Sequence, residues 1–185
     1  MQDAERLLAW IRETPEAMAC LLAARSLDLP DWAIGAGFVR SLAWDRLSGR
    51  DAATPLPDID VLFFDPGDIS PERERAAERE LEQRLPGRGW SARNQARMHL
   101  GNGDAPYRDT QDAVAHWLET PTAVAVRLEP DGAMTLLAPY GLTDLMAMRV
   151  RATPAGQRRI AAYRQRMAAK DWPATWPGVV VEGLT

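Results

Sequence analysis

Lysine and cysteine are nearly absent from this 185-residue chain, and each scarcity narrows what the protein can be. Cys20 is the only cysteine, so neither an internal disulfide nor a cysteine metal cluster can form. No apolar run approaches the ~20 residues that a membrane helix needs, and the N-terminus carries acids without the apolar core of a signal peptide. We therefore expect a cytoplasmic protein with no membrane partner.

Positive charge comes almost entirely from arginine, since Lys170 is the only lysine among 22 Lys and Arg residues. The net charge of −4 argues against binding of nucleic acid through the overall charge of the protein. Nucleic acid stays open as a partner through a local basic surface, because residues 149–170 are rich in arginine (Arg151, Arg158, Arg159, Arg164 and Arg166). A solvated helix face is the commoner interpretation of such a segment.

The chain mixes helical and strand patterns without regular alternation. Apolar spacing predicts helices at 3–28 (as a pair), 38–48, 70–85 and 156–170, and strands at 32–34, 58–64, 90–97, 122–128 and 134–137. This pattern favours an α+β fold with a small mixed or antiparallel sheet flanked by helices. The length favours one domain, residues 1–185, with a core at about 30–150 and the terminal helices packed on it.

Two short stretches, less than thirty residues apart, carry the chemistry. The first strand ends in Gly35-Ala36-Gly37 and runs into a helix, and the next strand carries Asp58 and Asp60. Glycine lets the backbone approach a ligand, and a helix start offers free N–H groups to phosphate. Residues i and i+2 of a strand share a face, so the two carboxylates repel unless a cation offsets them. Paired carboxylates bind Mg²⁺ together with substrate phosphate, so the stretches together predict a metal–nucleotide site.

The residues IGAGFVRSLAWDRLSG, followed by DIDVLFFD, resemble the nucleotidyltransferase superfamily of the DNA polymerase beta type. In that superfamily a strand ends in Gly-Gly or Gly-Ser before a helix, and the next strand carries Asp-x-Asp. The later stretches NQARMH and APYGLTDL extend the likeness to a bacterial branch of small nucleotidyltransferase-like proteins, over roughly residues 30–150. The resemblance implies transfer of a nucleotidyl group from a nucleoside triphosphate to an acceptor that the sequence does not name.

The resemblance also implies roles for particular residues. Asp58 and Asp60 would be catalytic and would hold one or two Mg²⁺ ions, which activate the acceptor hydroxyl and offset charge on the triphosphate. The backbone of 35–37 would cradle the β- and γ-phosphates. Arg40, on the first turn of the following helix, would either reach phosphate or face solvent.

Two departures from the superfamily keep a second interpretation open. The Gly-Ala-Gly turn lacks the serine hydroxyl that often touches phosphate, unless Ser41 supplies one. The strand predicted at 90–97 has no acid where active members carry a third carboxylate; Asn94 is the nearest oxygen ligand, and Glu119 is a candidate third metal ligand from elsewhere in the chain. A binding or regulatory module that keeps the fold without turnover is therefore the alternative to an enzyme.

Asn94, Arg97 and His99 are candidates for the substrate cleft. The amide of Asn94 could bond a base or ribose, and Arg93 and Arg97 would share one face of an extended strand, toward phosphate or toward water. His99 is either a general base or phosphate contact, or a histidine bonded to nearby backbone.

Overall fold

One five-stranded sheet organises the residues that the computed structural model describes, 2–183. The helices are α1 (Gln2–Arg12), α2 (Pro15–Arg25), α3 (Gly37–Leu47), α4 (Pro71–Arg84), α5 (Gln95–Asn102), α6 (Thr110–Ala115), α7 (Thr143–Met146), α8 (Pro154–Arg158), α9 (Ile160–Lys170) and α10 (Trp172–Thr175). The strands are β1 (Ala33–Gly35), β2 (Ile59–Phe63), β3 (Trp90–Asn94), β4 (Ala125–Leu128), β5 (Met134–Leu137), β6 (Arg149–Val150) and β7 (Val180–Val181). Within this range no helix is both long enough and apolar enough to cross a membrane.

The main sheet has the order β3-β2-β1-β4-β5. β2 and β3 are parallel and are joined by a crossover through α4, as parallel strands require. The other pairs are antiparallel, with Ile34 opposite both Val61 and Val126. This mixed, mostly antiparallel sheet with flanking helices confirms the predicted α+β fold.

The two faces of the sheet carry side chains of different size, because alternate residues of a strand point to opposite sides. One face, with Ile34, Val61 and Phe63, belongs to the main core, on which α2 and α3 pack. The other face carries mostly small residues, including Ala33 and Ala125, within a second apolar cluster. The small side chains leave room above this second face, which is the side toward which Asp60 and Leu62 point.

Two tryptophans near the C-terminus, Trp172 and Trp176, pack on α3, although they lie outside the core predicted at about 30–150. Trp44 of α3 makes edge-to-face contacts with Trp172 and Trp176, at centroid distances of 5.5 and 5.2 Å. The indole N–H of Trp176 donates to Oδ1 of Asp45 at 2.8 Å. The helix that begins at the Gly35–Gly37 turn is therefore anchored by residues more than 120 positions later in the sequence.

The strand predicted at 90–97 ends early, because only its first five residues form β3 and the remaining three begin α5. β3 ends at Asn94, whose side chain caps α5 by accepting from the N–H of Ala96 at 3.1 Å. Arg93 therefore lies on β3 and Arg97 on α5, so the prediction that these two arginines share a strand face is wrong.

The prediction of one continuous helix at 156–170 is wrong, because the structure has two separate helices in this region, α8 and α9. α8 begins earlier than predicted, where Thr153 accepts from the N–H of Gly156 at 3.0 Å. Gly156 packs so closely that an added Cβ would collide with the carbonyl oxygen of Leu118. The helix breaks at Arg159, with φ −109° and ψ 45°, before α9 begins. The break changes the direction in which the later arginines project.

Candidate functional site

The turn between β1 and α3 is tightly packed and strained. A Cβ at Gly35 would lie 3.0 Å from Cβ of Ala125 and 3.1 Å from Cη2 of Trp117, so only glycine fits between β1 and β4. Ala36 has φ 53° and ψ −124°, a conformation that L-residues rarely adopt, and its N–H donates to the carbonyl of Val124 at 3.2 Å. Backbone strain of this kind concentrates at ligand sites, and Ala36 lines a cavity.

That cavity, of about 340 Å³, lies on the small-residue face of the sheet. Its volume falls in the range typical of small-molecule sites. Two acids line it, Asp60 and Glu119, together with three arginines, Arg93, Arg159 and Arg166. The strained turn, one of the two predicted metal-binding aspartates and the predicted third acid therefore border the same space.

Asp58 and Asp60 lie where β2 begins, and glycine packing fixes their position. Gly89 has φ 64°, and a Cβ there would lie 2.7 Å from the carbonyl oxygen of Pro57. The N–H of Ile59 donates to the carbonyl of Gly89 at 3.1 Å. Asp58 is exposed and Asp60 is half-buried, and among residues 2–183 neither forms an ion pair.

The Asp60 carboxyl is held in an unfavourable environment for a negative charge. Burial, followed by repulsion from Asp58, raises its pKa above the ordinary aspartate value. A hydrogen bond from Ser91 and the charges of Arg166 and Arg93 offset only part of this rise. A divalent cation between the two carboxylates would remove the remaining penalty, so this pair is chemically suited to a hard metal ion.

Glu119 borders the cavity but does not complete a three-acid group. It is 1% exposed, and its Oε1 lies 2.5 Å from Nε of Arg166. That contact is an ion pair without hydrogen-bond geometry, since both atoms are buried and neither has a hydrogen-bond partner. Within residues 2–183 no set of three or more His, Cys, Asp or Glu side chains is placed to share one metal ion. The donor set is thus Asp58 and Asp60, which suffices for Mg²⁺ when water and substrate phosphate complete its shell.

Arg40 faces the protein interior rather than solvent. It is 7% exposed, its Nη1 donates to Oγ1 of Thr122 at 3.2 Å, and its guanidinium lies 4.4 Å from the ring centroid of Trp172. Burial lowers its pKa to about 10, although Glu119 pulls in the other direction. Arg40 lies behind the cavity wall, because Thr122 borders the cavity and Arg40 does not.

The amide of Asn94 is occupied by the fold. The side chain is fully buried, and Oδ1 accepts from the N–H groups of Asp65 and Ala96 at 3.0 and 3.1 Å. Nδ2 donates to the carbonyls of Asp65 and Asp68 at 2.8 and 2.9 Å. Asn94 thus ties the end of β2 to α5 and does not line the cavity.

Arg97 and His99 also lie outside the cavity lining. Nη1 of Arg97 donates to Oε2 of the buried Glu74 at 3.0 Å, which anchors α5 to α4. The His99 ring makes an edge contact with Tyr107, at a centroid distance of 6.0 Å, and its Nδ1 is buried without a hydrogen-bond partner. The structure therefore does not bring the three predicted cleft residues together with Asp60.

The sequence pattern missed an aromatic wall of the cavity. It consists of Tyr107, His116 and Trp117, all of which line the space. The rings of Tyr107 and His116 lie 4.6 Å apart at 30°, close to a stacked arrangement. Tyr107 lies in an irregular loop, and no spacing in the sequence connects it to α6. The cavity thus offers flat rings, guanidinium groups and carboxylates, which together match the base, phosphates and metal of a nucleotide complex.

Comparison with known proteins bears on the family and the fold. Residues 22–181 match a family described as nucleotidyltransferase. A solved structure described as "The NMR structure of the protein reveals a CCA-adding enzyme head domain" is 34% identical, with a TM-score of 0.86, over 97% of this chain and 95% of its own. A second, described as "tRNA-processing enzyme (apo form 2)", is 17% identical with a TM-score of 0.49, over 81% of this chain and 43% of its own. No curated protein matches the chain. The match over residues 22–181 shows that this chain belongs to the nucleotidyltransferase family.

Proposed function

We propose that the chain transfers a nucleotidyl group from a nucleoside triphosphate to an acceptor hydroxyl in a Mg²⁺-dependent reaction. The observation that carries this proposal is the pair Asp58 and Asp60, which forms no ion pair within residues 2–183 and lies beside a cavity bordered by the strained Ala36 turn. Family membership supports the reaction class.

Asp58 and Asp60 hold the metal in this proposal, with Glu119 as the nearest further carboxylate in the cavity. Bound Mg²⁺ supplies charge neutralisation on the triphosphate and lowers the pKa of the attacking hydroxyl. The acceptor oxygen forms a bond to the α-phosphorus, the bond from that phosphorus to the bridging oxygen breaks, and pyrophosphate leaves with the electron pair. The hydroxyl proton passes to solvent.

The turn after β1 positions the phosphates. α3 begins at Gly37, and the first N–H groups of a helix have no partner within the helix. A phosphate at this end gains both those donors and the helix dipole. The positive φ of Ala36 turns the chain from β1 into α3 next to the cavity, so the strain serves phosphate binding in this proposal.

The aromatic wall supports a nucleotide rather than an inorganic phosphate as ligand. Tyr107, His116 and Trp117 line the cavity, and base–aromatic stacking tolerates any base. The wall therefore accounts for binding of a base without defining which base is preferred.

A polynucleotide end is the first acceptor class to test. The support is the 34% identity to a structure described as a CCA-adding enzyme head domain. The net charge of −4 favours contact with a short end rather than with a long stretch of backbone.

A catalytically inactive module is the second candidate, and the Glu119–Arg166 ion pair favours it. With its carboxylate bound to an arginine, Glu119 is not grouped with the two aspartates. Such a module would bind nucleotide and metal through Asp58 and Asp60 without turnover.

Nucleotide binding and turnover should be measured together. Calorimetry with each nucleoside triphosphate, with and without Mg²⁺, is paired with transfer of α-labelled nucleotide to a set of RNA oligonucleotides. Asp60→Asn should lose the Mg²⁺-dependent part of binding, whereas Asp51→Asn, an exposed acid in the preceding loop, should keep it. Turnover that Asp60→Asn abolishes supports the enzyme; binding without turnover supports the module. Absence of Mg²⁺-dependent nucleotide binding contradicts both.

A further inference from the structure

Three arginines line the cavity that also contains Asp60, and the proposed metal site does not use them. Arg93 lies near the mouth, with its side chain 45% exposed and paired with Glu78. Arg159 and Arg166 come from the C-terminal helical segment, Arg159 from the break between α8 and α9 and Arg166 from α9. The lining therefore carries three guanidinium groups against two carboxylates, in a chain whose net charge is −4.

Arg159 lies at the break between α8 and α9, where its backbone has φ −109° and ψ 45°. Its side chain is 24% exposed, whereas that of the preceding Arg158 is 59% exposed. Its Nη2 donates to the carbonyl of His116 and lies 3.9 Å from Oδ2 of Asp104. Its Nε is buried and has no hydrogen-bond partner.

Arg166 shows the same incomplete bonding one helix later. Its Nε contacts Oε1 of Glu119 at 2.5 Å without forming a hydrogen bond, and that Nε is also counted among the buried nitrogen atoms that lack a partner. Buried N–H donors without acceptors are costly, so an acceptor is expected to complete them. Each of the three arginines contacts one carboxylate, of Glu78, Asp104 or Glu119, and a phosphate would add further charge-assisted hydrogen bonds to these groups.

We infer that Arg159 and Arg166 form a second phosphate-binding wall of the cavity, in addition to the Gly35–Gly37 turn, that binds the terminal phosphates of a nucleoside triphosphate. This inference rests on the proposed function and specifies where the triphosphate ends. The side chains of Arg159 and Arg166 are 24% and 38% exposed, so their guanidinium groups can donate hydrogen bonds to a phosphate in the cavity. The small volume favours a mononucleotide's triphosphate over the backbone of a polynucleotide.

Binding of inorganic tripolyphosphate in the presence of a metal chelator tests the wall without the aspartates. We expect the full chain to bind it, and Arg159→Gln to bind about tenfold more weakly or worse, since one charge-assisted fork is lost. Arg158→Gln is the matched control, because this neighbour is exposed and outside the cavity lining, and its affinity should stay within about twofold of the parent. Equal binding by Arg159→Gln and the parent, or no binding by the parent, would overturn the inference.

Arg166 is best tested with its partner neutralised. Arg166→Met leaves Glu119 buried and unpaired, so the double variant Arg166→Met with Glu119→Gln removes both charges and keeps the volume. Once circular dichroism shows that this variant folds, it should bind tripolyphosphate about tenfold more weakly than Glu119→Gln alone. Equal affinity of the two variants would contradict the role of Arg166.

Two further arms separate the phosphate source and the underlying function. A nucleoside monophosphate and a single-stranded oligonucleotide should lose little affinity in Arg159→Gln; a loss confined to the oligonucleotide would overturn assignment to the triphosphate. Asp60→Asn should retain tripolyphosphate binding without metal, since it removes a repelling charge. If Arg159→Gln has no effect while Asp60→Asn abolishes Mg²⁺-dependent nucleotide binding, the wall is refuted and the proposed function stands.

Discussion

Replacing Ala36 with glycine should stabilise the free protein, which is unusual for a change from alanine to glycine. Ala36 has φ 53° and ψ −124°, where its Cβ is crowded by its own backbone. Glycine adopts this conformation without steric cost. The prediction therefore isolates the strain of one residue at the proposed phosphate-binding turn.

The size of the effect follows from two opposing contributions. Relief of a left-handed backbone at an L-residue contributes about 1–2 kcal/mol. The greater freedom of glycine in the unfolded chain removes about 0.4–1 kcal/mol. The expected net gain for Ala36→Gly is about 0.5–1 kcal/mol, or a rise in Tm of about 2 °C for a chain of this length.

The flanking glycines are matched controls because the same added methyl group meets different surroundings. Gly35→Ala places a Cβ 3.0 Å from Cβ of Ala125 and should cost about 1–3 kcal/mol through overpacking. Gly37→Ala places a Cβ no closer than 3.6 Å to any neighbour and should be neutral or stabilising by up to about 1 kcal/mol.

Urea unfolding of the three variants at one pH provides the assay. The expected order of the free energy of unfolding is Ala36→Gly above the parent, Gly37→Ala at or slightly above the parent, and Gly35→Ala below it. A loss of about 0.4–1 kcal/mol in Ala36→Gly would refute the strain, because glycine entropy alone produces a loss of that size.

Three further predictions concern charge and packing around Asp60. Because the folded-state pKa of Asp60 is raised, the contribution of Asp60 to stability should fall as pH increases from about 3.9 through that pKa. In urea unfolding from pH 3 to 7, Asp60→Asn should therefore gain stability relative to the parent as pH rises; a stability difference that does not change with pH argues against a raised pKa. Gly89→Ala should lower the free energy of unfolding by about 1–3 kcal/mol, because the added Cβ overpacks against Pro57, and it should also weaken Mg²⁺ binding. Calorimetry checks both effects; unaltered metal affinity would show that this contact does not position the aspartates. Arg166→Met should lower the free energy of unfolding by about 2 kcal/mol or more, and adding Glu119→Gln should restore most of that loss. Urea unfolding measures both variants, and equal stability of the two would show that the ion pair is unimportant.

The parts of the site that were predictable from sequence are those set by local geometry. A strand ending in Gly35-Ala36-Gly37 and an Asp-x-Asp pair at a strand start depend on neighbouring residues, and β1, α3 and β2 form close to where the pattern indicated. The fold class and the family are confirmed. The roles of Asp58 and Asp60 stay predictions that chemistry supports.

The arginine wall of the cavity could not be predicted, because it depends on long-range packing. Arg159 lies at the break that ends α8, a helix that begins at the Thr153 cap and packs through Gly156 against Leu118. Asn94 shows the reverse error: its amide looked suited to a ligand, but four hydrogen bonds to the backbone occupy it. Residue spacing in the sequence predicts neither the position of Arg159 nor the hydrogen bonds of Asn94.

The most direct test of the metal–nucleotide site is a titration of the ¹⁵N-labelled protein with Mn²⁺, which takes the same oxygen ligands as Mg²⁺, in the presence of a non-hydrolysable nucleoside triphosphate. The account predicts saturable paramagnetic broadening that first affects the amides of Asp58, Ile59 and Asp60 and those of the turn at Ala36 and Gly37. Asp60→Asn should abolish this pattern. Broadening that centres on another part of the chain, or that persists unchanged in Asp60→Asn, would contradict the account.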